Sequence, residues 1–190
     1  KATVHICVNS NVTNFQKPAY TKKNVLKCDR YMESFNTLYG AILSRNKPNA
    51  VAWIKGNEEH QRLSGEVFFY NTVRSGILVV AEIFGLPDWE NTSGFYGMHI
   101  HEYGDCSNGF QNTGSHYNPG NFPHPMHAGD LPPLLSYNGY AWMAFYDHRF
   151  SIKEILGKSL VIHDHRDDFM SQPAGNSGEK IGCGVIERFR

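Results

Sequence analysis

A chain of 190 residues, 41% hydrophobic and 13% aromatic, can bury one good core and carry an extension, which argues for one main domain. Eighteen basic residues balance eighteen acidic ones, so overall charge gives no support to a nucleic acid or an anionic membrane as partner. No apolar run reaches the length of a membrane-crossing helix, which points to a soluble chain with no membrane span, and no signal-peptide core follows Lys1, so a leader was either removed or never included.

In chain order, TVHICVN (residues 3–9) alternates like a short strand. The following TKKNVLKCDRYMESFNTLYGAILSR (21–45) places Leu26, Met32, Phe35, Leu38, Tyr39 and Ile42 at roughly helical spacing. The Asn46-Lys47-Pro48 turn closes this region, so residues 1–49 read as an amino-terminal extension containing a helix and 50–190 as the main domain. From Ala50 the period becomes two. AVAWIKG (50–56), GEVFFYN (65–71), GILVVAEIF (76–84), FYGMHIHE (95–102), YAWMAFYDHRF (140–150), KSLVIHD (158–164) and CGVIERF (183–189) are separated by Gly, Asn, Pro and Ser clusters. That is an all-β pattern with two long irregular connections, Gly104 to Gly129 and Asp164 to Gly182, and long loops in a compact β domain are where function concentrates. Four cysteines, Cys7, Cys28, Cys106 and Cys183, allow two disulfides, and an even count points weakly to an oxidising, extracytoplasmic compartment. Sequons at Asn11 and Asn91 matter only on a eukaryotic secretory route.

The histidines carry the chemistry. On a strand, His99 and His101 project from one face with Ile100 turned away. Alone, this pair reads equally as half a metal site or as two half-buried polar residues. The loop fragment SHYNPGNFPHPMHAGD decides in favour of metal: three imidazoles, His116, His124 and His127, followed by Asp130, make a tetrahedral zinc set. His99, His101 and His163, all strand-borne nitrogen donors, suit copper(II), which favours tetragonal geometry. If the loop folds back over the strands, His116 can present one ring nitrogen to each metal.

The strings GMHIHEYGDC, GSHYNPGNFPHPMHAGDLP, SLVIHDHRDD and GNSGEKIGCGVI, in this order and at these spacings, resemble the copper/zinc superoxide dismutase family over about residues 50 to 188. The resemblance implies an eight-stranded Greek-key β-barrel or flattened sandwich with two long functional loops. It implies copper on His99, His101, His116 and His163, and zinc on His116, His124, His127 and Asp130. The reaction implied is dismutation of superoxide, with His116 as bridging ligand and proton carrier. Asp167 matches a carboxylate that hydrogen-bonds one ligand of each metal, here His99 and His124, while Asp168 reads as a solvated loop residue. Cys106 and Cys183 match the family's disulfide; Cys7 and Cys28 have no counterpart and either pair with each other or stay free. Lys180 stands where most members carry arginine above the copper; it keeps the charge that guides an anion but loses the planar donor fork, and Glu179 beside it opposes the attraction if it faces the channel. His165, two residues after His163, reads as solvated or supporting rather than as a fifth ligand. The His124–His127 spacing and HAGDLP look more like bacterial relatives, and members of the family often pair into a homodimer. Two other classes compete: a catalytically silent copper- or zinc-binding relative, although no ligand is missing, and a mononuclear zinc hydrolase, for which no general base is placed.

Overall fold

The computed structural model describes residues 47–87 and 94–190. The expected amino-terminal extension, its helix, Cys7, Cys28 and both sequons therefore lie outside the described residues.

Nine strands run β1 (Ala50–Gly56), β2 (Ser64–Asn71), β3 (Ile77–Phe84), β4 (Phe95–Tyr96), β5 (Met98–His101), β6 (Leu134–Leu135), β7 (Tyr140–Asp147), β8 (Ser159–His163) and β9 (Lys180–Arg188). Seven form one curled antiparallel sheet in the order β5-β8-β9-β1-β2-β3-β7, and β4 pairs with β6. Only Gly97 separates β4 from β5, so counted through it the described residues have the eight strands of a Greek-key barrel. The alternation seen in the sequence is the alternation of burial. In β3, Ile77, Val79, Ala81 and Ile83 are buried while Leu78, Val80, Glu82 and Phe84 face outward. The inward residues meet Ala52, Ile54, Val67, Phe69, Ile100, Leu160 and Ile186 in a single core. Each Val, Leu, Ile or Phe side chain among them, fully buried, stabilises the fold by roughly 1.5–3 kcal/mol.

Strands β5 and β8 differ from this pattern because every residue in them is buried. One face, Met98, Ile100, Leu160 and Ile162, belongs to the core. The other carries His99, His101, Val161 and His163 beneath the long loops, where Val161 joins Phe110, Cys183 and Cys106 in a small second apolar cluster. Strand β5 is the sheet edge, and the first loop closes it. Ile100 N donates to Gly129 O at 2.9 Å, Tyr117 N to Ile100 O at 2.8 Å and Glu102 N to Ser115 O at 3.0 Å, so an edge that would otherwise be open is paired. Gly129 is required there: a Cβ on it would sit 2.3 Å from the Ile100 carbonyl oxygen.

The structure corrects four boundaries. The YAWMAFYDHRF strand ends at Asp147, where Ser151 caps a one-turn helix, α1 (Ile152–Ile155). The two-residue strand β6 was too short to show a period. The first irregular stretch extends to Pro133 and includes a kinked 3-10 segment at Asn108–Thr113, broken by positive φ at Gly109 and Phe110. The last strand starts three residues before Cys183, placing Lys180 in the sheet opposite His163 rather than in the loop. Gly182 and Gly184 had hidden that start by removing two side chains from the alternation.

Candidate metal centre

Each histidine is set by the element that carries it. In the β5–β8 ladder His99 lies opposite Val161 and His101 opposite Ser159, which fixes both rings on the loop-covered face. His163 ends β8 at a register shift. The loop brings His116 to a bridge with His101, and Asp130 to a bridge with His99. Two groups of buried donors result. One atom from each of His99, His101, His116 and His163 lies within 4.8 Å of the others; His116, His124, His127 and Asp130 form a second such group. His116 is common to both.

Ring nitrogens divide into held and free. Asp167 takes His99 Nε2 at 2.8 Å on one oxygen and His124 Nε2 at 2.9 Å on the other. His101 Nδ1 donates to the Gly114 carbonyl at 2.9 Å, and His163 Nδ1 lies 3.3 Å from that of Gly178. With these atoms anchored, the opposite nitrogens point inward. His99 Nδ1, His116 Nε2, His124 Nδ1 and His127 Nδ1 are buried with no hydrogen-bond partner. His124 and His127 Nδ1 lie 3.1 and 3.2 Å from the Asp130 carboxylate yet make no hydrogen bond to it. His101 Nε2 and His163 Nε2 likewise face each other at 3.3 Å. Each unpartnered buried polar atom costs about 1–3 kcal/mol, so converging orphans fit cations that coordinate them. Nitrogen donors in one group suit copper; three imidazoles and one carboxylate in the other suit zinc.

Electrostatics favour the ligand form. Burial holds His99 and His101 well below the usual histidine range, reinforced by the neighbouring imidazoles, and takes His163 down to about 4. These rings are neutral at physiological pH, as metal binding requires. Burial pushes Asp130 up, but the hydrogen bond and charge of His116, with His124 and His127, outweigh it and keep the carboxyl below its ordinary value.

The remaining expected residues fall as follows. Lys180 is half-buried; its Nζ donates to Thr113 Oγ1 at 2.8 Å, Gly114 O at 3.2 Å and Phe110 O at 3.4 Å, fastening the turn that also holds His101. Burial lowers its pKa, partly offset by Glu179, which is exposed. His165 is exposed and bonds Asp164 at 2.7 Å, outside both donor groups. Asp168 orders its own turn, accepting from Met170 N and Ser171 N, both at 2.8 Å, which depress its pKa together with the Ser171 hydroxyl to about 2. Cys106 and Cys183 form a disulfide with Cα atoms 5.8 Å apart, tying the first loop to β9. No motif marked Arg149, whose guanidinium reaches the backbone of the second donor group.

Comparison with known proteins gives concordant matches. The family model described as "Copper/zinc superoxide dismutase (SODC)" matches residues 63–186. The chain is 34% identical over 158 residues to "Superoxide dismutase [Cu-Zn] 3" of Arabidopsis thaliana, covering 75% of this chain and 92% of that protein. It is 32% identical over 142 residues to the extracellular superoxide dismutase [Cu-Zn] of Rattus norvegicus, covering 67% of this chain and 56% of that one. Among solved structures, the clock protein EA4 is similar with a TM-score of 0.64 and 31% identity, over 77% of this chain and 98% of that chain. These matches lend the bacterial likeness no support.

Proposed function

The chain belongs to the copper/zinc superoxide dismutase family, and on that premise we propose that it dismutes superoxide at a copper held by His99, His101, His116 and His163, beside a zinc held by His116, His124, His127 and Asp130. The observation that carries this reading is the membership of His116 in both donor groups, with Nδ1 2.7 Å from Asp130 and Nε2 buried without a partner. One imidazole thus faces two sites.

The reaction turns two superoxide anions and two protons into one oxygen and one hydrogen peroxide. Copper, when bound, supplies the electron exchange by cycling between two oxidation states, and zinc supplies fixed charge without redox chemistry. The chain's residues do the rest. His116 is the one ring common to both donor groups, and with Nδ1 anchored at Asp130 its unpartnered Nε2 can hold and deliver a proton without the ring losing its place. Asp167 fixes the rings of His99 and His124 together. Lys180 places a cation beside His163 and attracts the anionic substrate.

The disulfide and the extracellular rat relative support an extracytoplasmic location, which cell fractionation tests. Among the described residues no helix is long and apolar enough to cross a membrane. Homodimer formation belongs to the same reading and is tested by mass in solution. For the activity itself, metal content and superoxide consumption are measured on one sample. About one copper and one zinc per chain with dismutation is expected, and zinc without dismutation would leave the silent relative as the correct reading.

A further inference from the structure

Arg149 follows β7 and has no place among the donor groups, yet its guanidinium touches the zinc-side backbone twice. Nη1 donates to the His127 carbonyl at 3.1 Å, and Nη2 donates to the carbonyl of Asp130. The same guanidinium is gripped by Asp147, with Nε at 3.1 Å from Oδ1 and Nη2 at 2.6 Å from Oδ2. Asp147 is itself 5% exposed and ends β7 opposite Ile77, so the grip is rooted in the sheet. His127 and Asp130 sit in one tight turn, in which Asp130 N donates to His127 O at 3.2 Å and Asp130 Oδ2 accepts from His127 N at 2.9 Å.

We propose that Arg149, held by Asp147, is a positioning residue for zinc: it fixes the HAGD turn so that His127 Nδ1 and the Asp130 carboxylate meet at the spacing a tetrahedral ion needs. The inference rests on the zinc assignment above. Geometry, rather than charge, is the means. The carboxylate of Asp147 neutralises the guanidinium, so little net field reaches the ion, whereas the planar fork spans both Asp147 oxygens and the two carbonyls in one fixed plane, a geometry a point-like ammonium does not reproduce.

The test uses the full chain, with zinc affinity measured by chelator competition and the geometry of the site by the visible absorption of cobalt(II) bound in place of zinc. Arg149→Ala and Arg149→Lys should each weaken zinc about 10- to 100-fold, the range for lost partners of metal ligands, and change the cobalt spectrum. Val67→Ala, at a buried position of β2 paired with Ala52 and Ala81, lowers stability as a control and should leave zinc affinity unchanged. Arg149→Lys with parental affinity and spectrum would overturn the proposal, since charge alone would then suffice. A control that loses zinc as strongly as Arg149→Ala would also overturn it, by reducing the effect to general destabilisation. A parent chain that binds no zinc would instead overturn the ligand assignment, and this inference with it.

Discussion

Asp167 bonds one ring of each donor group through one carboxylate, and the chain leaves it room to do so. Gly175 has φ +65° and a Cβ on it would sit 2.0 Å from Asp167 Oδ1. Gly175→Ala should therefore displace the carboxylate from His99 and His124 and weaken both metals, about 10- to 100-fold, with every ligand still present. Chelator titration checks this; unchanged affinities would mean that Asp167 is dispensable. His163→Ala makes the complementary statement. His163 belongs to the first donor group alone, so dismutation should vanish while zinc stays bound, and zinc loss with retained activity would sink the division of ligands. The ligand types were legible in the sequence because histidines and aspartate at strand and turn spacings have few other uses. Arg149 was not legible. Its role depends on where β7 ends and on which carbonyls the turn exposes, and neither leaves a mark in residue type.

Strands β5 and β8 carry His99, His101 and His163, and the first loop carries His116, His124, His127 and Asp130, so the joints between sheet and loop decide the site's order. The Cys106–Cys183 bridge is one joint, spanning 77 residues. In the chain-entropy account a closure of that length contributes about 4–5 kcal/mol, so Cys106→Ser with Cys183→Ser should lower stability by up to that amount and loosen the loop at Phe110. Thermal melting of the metal-free protein checks it, and a loss below about 1 kcal/mol would show that the loop stays docked through its other contacts. Helix α1 is a weaker joint. Ser151 N and Oγ donate to Glu154 Oε2 at 2.8 and 2.6 Å, and these bonds depress the glutamate's pKa. A depressed folded-state value means the contribution is present above the ordinary glutamate pKa and is lost as pH falls through the folded one. Parent and Glu154→Gln should thus differ in melting temperature near neutrality and converge in acid; a constant gap would assign the effect to something other than this carboxylate. The long strands were readable because one buried face imposes a period of two. Ser151 and Glu154 did carry a helix-start signal, S-x-x-E, but the helix it opens is one turn long, too short to show a period of 3.6. Strand β6 has two residues and no period at all.

At the scale of the whole chain the zero net charge conceals a division. Seven of the eighteen basic residues but only two of the eighteen acidic ones lie in residues 1–46, which leaves eleven basic against sixteen acidic residues in 47–190. The part that carries the donor groups therefore does not attract an anion by its overall charge, and on the proposed function guidance falls to cations close to the first donor group. Lys180 is placed for this, opposite His163 and bonded to the turn that holds His101. Such attraction acts over about 8 to 10 Å at ordinary ionic strength, so added salt should slow the parent. Three substitutions separate charge from support. Lys180→Gln keeps a donor toward the Phe110 and Gly114 carbonyls and removes the charge; its rate should fall and its salt dependence flatten. Lys180→Glu should fall further and speed up with salt, while Lys180→Arg, with a fork that can hold both carbonyls and still face the substrate, should exceed the parent. Stopped-flow superoxide decay against ionic strength, with metal content verified in each variant, provides the measurement. If Lys180→Gln keeps the parental rate and salt profile, Lys180 serves the turn alone, and guidance of the substrate must come from elsewhere in the chain.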